Sequence, residues 1–203
     1  MLKDLFNKYG CDKAKKHSYH LIYEPQFEPI RNNAINLLEV GVFKGDSVRA
    51  WLDYFPNATI YGVDIFTRVK PEDIDVLQHP RVKWMRCDST AENVRDQIKE
   101  EWPRIRFDVI IDDGLHTPEA NAKTLANLVP LLKKNGMYFV EDVWPFDIMT
   151  SDQWKHPWIT SHSDAYNLFK WDIFAKQLEM YQVERFDNRK ISGEPDSYII
   201  KVS

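Results

Sequence analysis

Five short apolar runs within the first 142 residues each end in an acidic side chain, and this repetition constrains the fold more than any other feature of the chain. Asn36-Leu37-Leu38-Glu39-Val40-Gly41 closes on an acid and a glycine, Thr59-Ile60-Tyr61-Gly62-Val63-Asp64 on Asp64, and the run 82–87 on Asp88. Phe107-Asp108-Val109-Ile110-Ile111 runs into Asp112-Asp113-Gly114, and Met137-Tyr138-Phe139-Val140 into Glu141-Asp142. Near-continuous apolar runs of this length read as strands buried on both faces, the mark of a parallel sheet. Solvated strand ends attract Asp and Glu by themselves, which explains one or two such coincidences but not five. Ligands of doubly wound sheets bind at the carboxyl ends of the strands, so the acids predict a ligand site there.

Helical patterns separate the runs. Lys44-Gly45-Asp46-Ser47 opens an apolar-periodic stretch over 48–55, residues 91–102 are helix-like, and 120–132 carry apolar residues at helical spacing. Lys133-Lys134-Asn135-Gly136 then reads as a helix C-terminus, basic in its last turn with glycine beyond. The alternation predicts an α/β fold, a doubly wound, Rossmann-like, mostly parallel sheet. Residues 143–166 hold Trp144, Trp154, Trp158, His156 and His162 without periodicity and read as a long loop over the site. Residues 167–181 form an amphipathic helix pattern; 181–186 and 197–202 alternate around a turn region at 188–195 and predict a C-terminal antiparallel hairpin on the sheet edge. At 203 residues one domain is expected, comprising an N-terminal cap (1–33), a cofactor-binding core (34–142), a substrate loop or lid (143–166) and the terminal helix and hairpin (167–203).

The turn after the first strand, Glu39-Val40-Gly41-Val42-Phe43-Lys44-Gly45, lacks the middle glycine of GxGxxG and fits a pyrophosphate poorly. Gly41 allows a close backbone approach to an uncharged ligand part, Asp64 is placed for both ribose hydroxyls, and Asp88 for an adenine amino group. In this order the residues resemble the class I S-adenosylmethionine-dependent methyltransferases, with Glu39-Val40-Gly41 as acidic-glycine loop, Asp64 as ribose acid and Asp88-Ser89 on the adenine side, over residues 34–142. The cofactor set that the resemblance implies is Glu39, Gly41, Gly45, Asp64, Ile65, Asp88 and Ser89. Asp112 belongs at the methionine end or is a bare strand-end cap. Lys13 and Tyr19 either cover the cofactor from the N-terminal side or only pack on the sheet.

Ile110-Ile111-Asp112-Asp113-Gly114-Leu115-His116 with Tyr138-Phe139-Val140-Glu141-Asp142 is similar to the metal-dependent sugar O-methyltransferases of macrolide biosynthesis (demethylmacrocin and mycinamicin type) and their cephalosporin-hydroxylase-like relatives. The opening Tyr9-Gly10-Cys11-Asp12-Lys13, with His17-Ser18-Tyr19 and Tyr23-Glu24, resembles the lead-in of the same family. That likeness implies a divalent cation on Asp113, Glu141 and Asp142. The chain departs from the family pattern at Leu115, where Ser or Thr is usual, and at Cys11 and Ala14, where glycine is usual. Independently, three carboxylates from two strand ends make a hard-oxygen site suited to Mg²⁺ or Mn²⁺. His116, beside them, is the expected general base, with Asp113 the other catalytic residue; a lone histidine here would read as a cap or a surface residue.

The expected function is therefore S-adenosylmethionine-dependent, metal-assisted O-methylation of a hydroxyl on a sugar or glycosylated small molecule. Lys and Arg number 27 against 31 Asp and Glu, a net charge of −4 that offers no general attraction for nucleic acid. No apolar run approaches membrane length and the N-terminus is charged, so no membrane partner and a cytoplasmic setting are expected. Cys11 and Cys87 have no CxxC spacing, which fits a reducing compartment. Homo-oligomerisation stays open. Three other readings meet specific obstacles. A nicotinamide oxidoreductase lacks the middle glycine and a Tyr-x-x-x-Lys pair. A non-catalytic cofactor-binding scaffold would not need every acid the chemistry requires, and an iron hydroxylase needs two histidines with one carboxylate.

Overall fold

The computed structural model describes residues 1–203. Three N-terminal helices, α1 (Leu2–Tyr9), α2 (Asp12–Lys15) and α3 (His20–Phe27), precede β1 (Asn36–Val40), α4 (Asp46–Tyr54), β2 (Thr59–Asp64) and β3 (Val82–Arg86). There follow α5 (Val94–Glu101), β4 (Phe107–Asp112), α6 (Pro118–Leu128), β5 (Leu132–Val140), α7 (Ser151–Trp154), α8 (Pro157–Ser161) and α9 (Leu168–Leu178). The chain ends with β6 (Val183–Asp187), α10 (Arg189–Ser192) and β7 (Tyr198–Val202).

The seven strands form one sheet of order β3-β2-β1-β4-β5-β7-β6. β1 to β5 are parallel, whereas β7 runs antiparallel to both β5 and β6. This is the expected doubly wound sheet with its terminal antiparallel hairpin. The order reverses between β1 and β4, so the carboxyl ends of these two strands flank the crevice in which such sheets bind ligands.

Each sheet face carries its own apolar layer. On one face the N-terminal helices and α4 bury Phe6, Tyr23, Phe27, Trp51 and Phe55 against Phe139, with ring centroids 5.0 Å apart for Phe6–Trp51 and 5.1 Å for Tyr23–Phe139. On the other, α5, α6 and α9 bury Ile98, Leu125, Leu128, Trp171 and Phe174 against Tyr61, Phe107 and Tyr138. Arg81 secures the end of α4 and the turn after it: its guanidinium donates to the carbonyls of Leu52 (2.9 Å), in the helix's last turn, and of Phe55 (2.9 Å) and Ala58 (3.0 Å) beyond it. No helix is long and apolar enough to cross a membrane.

Two expectations are corrected. Lys133-Lys134-Asn135-Gly136 is not a helix end but the opening of β5; α6 stops at Leu128 because Pro130 has no N–H to continue the ladder, and a 3-10 turn over Val129–Leu131 takes over. Lys133 is held there by Asp108 at 2.8 Å. Residues 143–166 are not an open loop, since they contain a 3-10 turn (Phe146–Ile148) and two short helices. Thr150 and Gln153 cap α7 reciprocally, and His156 Nδ1 accepts from the Trp158 amide ahead of Pro157 at the start of α8.

Candidate active site

Backbone contacts bring the strand ends together. Gly41 has φ +86°, its N–H donates to the Val63 carbonyl at 2.9 Å, and the Asp113 N–H donates to the Val40 carbonyl at 3.0 Å. A Cβ at Gly41 would penetrate the Asp113 carbonyl oxygen and lie 2.8 Å from its carbon. Only glycine adopts this φ without strain and admits the Asp113 backbone so closely. Gly41→Ala should therefore cost about 3 kcal/mol or more from overpacking and backbone strain, a fall of roughly 6–12 °C in Tm for a chain of this size. Differential scanning calorimetry reads this directly, and an unshifted Tm would show that the turn relaxes freely. Gly45, also left-handed at φ +76°, caps α4 and leaves its Cβ position to Val76 and Ile74.

On the β2–β3 side, the Asp64 carboxylate accepts from the amides of Phe43 (3.0 Å) and Phe66 (2.6 Å). Both phenylalanines take left-handed φ, 48° and 50°, to turn those amides toward it. Asp64 is half-buried, and each of its oxygens keeps acceptor capacity, with the exposed side chains of Phe43 and Ile65 beside it. Asp88 is exposed and accepts from the Thr90 amide (2.8 Å) and hydroxyl (2.7 Å), while Ser89 meets the Thr124 hydroxyl at 3.0 Å. Glu39 is enclosed instead, accepting from the Ser47 hydroxyl at 2.8 Å and the Trp51 indole N–H at 3.4 Å. Burial pushes its carboxyl up to about 7 despite nearby Lys13. Burial likewise raises Asp112 to about 7, against the pull of His116; Asp112 also accepts from the Tyr138 hydroxyl at 3.3 Å.

On the β4–β5 side, Asp113, His116 and Asp142 converge, with one ligand atom of each within 4.8 Å of the others. His116 Nε2 lies 3.7 Å from Asp113 and 4.0 Å from Asp142. Two carboxylates and an imidazole at these separations fit a divalent cation. Glu141, the third acid expected in this set, is not among them. It is buried, salt-bridged by Lys13 Nζ at 2.5 Å and receiving the Tyr23 hydroxyl. Glu141 lies two residues after Phe139 and is enclosed with it against the N-terminal helices, whereas Asp142, where the chain leaves β5 with φ 52°, stands at the strand end beside Asp113 and His116. Burial pulls the His116 imidazole down, but Asp142, Asp113 and Asp112 outweigh it and the net shift is upward. Burial raises Asp142, opposed by His116 and His17. A hollow lined by His116, Asn121, Trp144, Trp171 and Phe174 adjoins the trio.

Lys13 and Tyr19, expected either over the cofactor or packed on the sheet, meet the β4–β5 acids. The Tyr19 hydroxyl donates to Asp142 Oδ1 at 2.7 Å, and Lys13 also reaches Asp113 at 2.6 Å. Sequence reasoning missed Ser47 and Trp51, although their places on the first turns of α4 beside Glu39 could have signalled them. It also missed Ser197, whose hydroxyl lies 2.8 Å from Nδ1 of the buried His17; no local pattern connects residues so far apart.

Residues 38–143, just over half of the chain, match a family described as a methyltransferase domain. The chain belongs to this methyltransferase family. Similar curated methyltransferases include the 8-demethyl-8-alpha-L-rhamnosyl tetracenomycin-C 2'-O-methyltransferase of Streptomyces olivaceus, 33% identical over 71% of this chain and 39% of that protein. The mycinamicin VI 2''-O-methyltransferase of Micromonospora griseorubida is 28% identical over 70% of this chain and 36% of its own length. This methyltransferase chain thus spans well under half the length of these relatives. Among solved structures, the mycinamycin-pathway methyltransferase MycE, in complex with Mg and SAH, superposes over 100% of this chain and 54% of its own, with a TM-score of 0.71 at 22% identity. The methyltransferase fold thus extends through the N-terminal helices and the terminal hairpin.

Proposed function

We propose that this methyltransferase transfers a methyl group from S-adenosylmethionine to a hydroxyl of a sugar or glycosylated small molecule, assisted by a divalent cation. The observation that carries the reading is the convergence of Asp113, Asp142 and His116 at the switch point of a methyltransferase-family core. The relatives' names support the acceptor class, since one acts on a rhamnosyl tetracenomycin and the other on an oxygen of mycinamicin VI.

Asp64 binds the ribose hydroxyls, with Ile65 and Phe43 along the adenosine and Asp88 and Ser89 at its far edge. Asp113 and Asp142 hold the cation, Mg²⁺ or Mn²⁺, because carboxylates suit these ions and imidazole suits softer ones. When bound, the ion lowers the pKa of an acceptor hydroxyl. His116 takes the hydroxyl proton on Nε2. Leu115, 68% exposed next to it, presents apolar surface to the acceptor. Residues 143–166 act as the lid, and the chain works as one domain in the cytoplasm without a nucleic-acid partner.

Two measurements test the reading. Methyl transfer to rhamnosylated polyketides or macrolide glycosides should require S-adenosylmethionine and Mg²⁺; no transfer to any glycosylated acceptor would overturn the substrate class. In calorimetry, Asp64→Ala should lose roughly tenfold or more in affinity for S-adenosylhomocysteine, the value of a charge-assisted contact of about 1.5–3 kcal/mol. Unchanged affinity would remove Asp64 from the cofactor site.

A further inference from the structure

The parallel register of β1, β4 and β5 places three acids on one sheet face. Leu37 pairs with Val109 and Val109 with Met137, while Val40 pairs with Asp112 and Asp112 with Val140. Continuing the register one step sets Asp113 beside Glu141, with Glu39 two residues lower on β1. The same face carries Leu37, Ile111 and Phe139, each two residues before one of the acids and each buried against the N-terminal helices. Glu39 and Glu141 are therefore enclosed toward α2, whereas Asp113, 23% exposed, stands at the border with the crevice, and a single side chain from α2 meets all three. Lys13 Nζ lies 2.5 Å from Glu141, 2.6 Å from Asp113 and 3.8 Å from Glu39. The Lys13 side chain is 2% exposed, and those of Glu39 and Glu141 are 0% and 1%. The remaining polar partners, Tyr23, Ser47 and Trp51, are neutral donors. Lys13 is the one cationic side chain bonded to Glu39 and to Glu141, whereas Asp113 also has His116 within 3.7 Å.

We propose that Lys13 is a positioning residue, an internal cation that binds the acids of β1, β4 and β5 into one electrostatic unit and holds Asp113 in place for the divalent ion. One ammonium is shared among the three acids. Asp113, the partly exposed member of the three, meets both Lys13 and the crevice where His116 and Asp142 stand. The cofactor-side acid Glu39 and the ion-side acid Asp113 thus share a counter-ion, and a change of charge at one is felt at the other through Lys13. The coupling to a divalent ion rests on the metal reading above, but the charge unit itself does not.

Lys13→Met keeps the length of the stem and removes the charge. In EDTA its Tm should fall by roughly 6–20 °C, the range expected when one partner of a buried ion pair is deleted. Mg²⁺ should return more stability to Lys13→Met than to the wild type, because the ion replaces part of the lost positive charge. The double variant Lys13→Met/Glu141→Gln should recover much of the loss in EDTA and lose the extra response to Mg²⁺. A double variant no more stable than the single one, or equal losses with and without Mg²⁺, would reduce Lys13 to a packing element. Should Lys13→Met fail to fold, a folded double variant supports the charge role and an unfolded one overturns it. The EDTA arm needs neither cofactor nor turnover, so failure of the charge unit and failure of the methyl-transfer reading are read separately.

Discussion

His116→Gln lowers the rate of methyl transfer by about 10² to 10⁴, the usual worth of a positioned base, and leaves Mg²⁺ and S-adenosylhomocysteine affinities unchanged. Nε2 stands 3.7 and 4.0 Å from the two carboxylates, near enough to serve an acceptor bound between them. The side chain is 31% exposed, so the proton it takes has a path to solvent. Without the ion, Asp142, Asp113 and Asp112 outweigh burial and favour the imidazolium, which cannot accept a proton. A divalent cation held by Asp113 and Asp142 would offset that pull and favour the neutral imidazole. Wild-type kcat should therefore fall as pH drops through the imidazole pKa, and this acid limb should vanish in His116→Gln. A limb that persists assigns the base elsewhere; a collapse of Mg²⁺ affinity in the variant would instead make His116 a ligand.

Chelation should silence turnover altogether while cofactor binding survives, and Asp113→Asn or Asp142→Asn should do the same with Mg²⁺ present. The two functions occupy different parts of the crevice: Asp64 and Asp88 stand at the ends of β2 and β3, Asp113 and Asp142 at the ends of β4 and β5. Removing the ion leaves an alcohol at its ordinary, poorly nucleophilic pKa, whereas the adenosine contacts stay in place. Parallel calorimetry with S-adenosylhomocysteine and single-turnover assays in EDTA distinguish the cases. Full activity in EDTA would abolish the metal mechanism, and a matching loss of cofactor affinity would mean that the ion orders the whole crevice.

The sheet was legible because its evidence is local. Apolar runs of five or six residues, each closed by an acid, mark β1, β2 and β4 to within a residue of their observed limits. Reading failed where a local rule met a stronger one. Lys133 to Gly136 imitate a helix end, but Pro130 has already ended α6, and Asn135 takes φ 65° inside β5. In the site, composition identified the acids and not their directions. Asp113 and Asp142 meet His116, whereas Glu141 is enclosed beside Lys13. Glu141 follows Phe139 onto the face that the N-terminal helices cover, and the cover itself comes from residues more than 100 positions away. Lys13 and Tyr19 lie 100 and 123 positions from their partners Asp113 and Asp142, a separation that only the assembled fold closes.

The contact of Gly41 with Asp113 bears on how enzymes of this build diversify. The span from the donor end of the crevice to the ion end is set by main-chain bonds, Gly41 to Val63 and Asp113 to Val40, rather than by side chains that drift under substitution. Displacements of about 1 Å are costly when a nucleophile, a methyl group and a sulfur must line up, so this span is a ruler that selection has little freedom to alter. Leu115 and the tryptophans of the segment 143–166 stand outside it. On the proposed reading, new acceptors can be accommodated there, residue by residue, without recalibrating the distance over which a methyl group would travel.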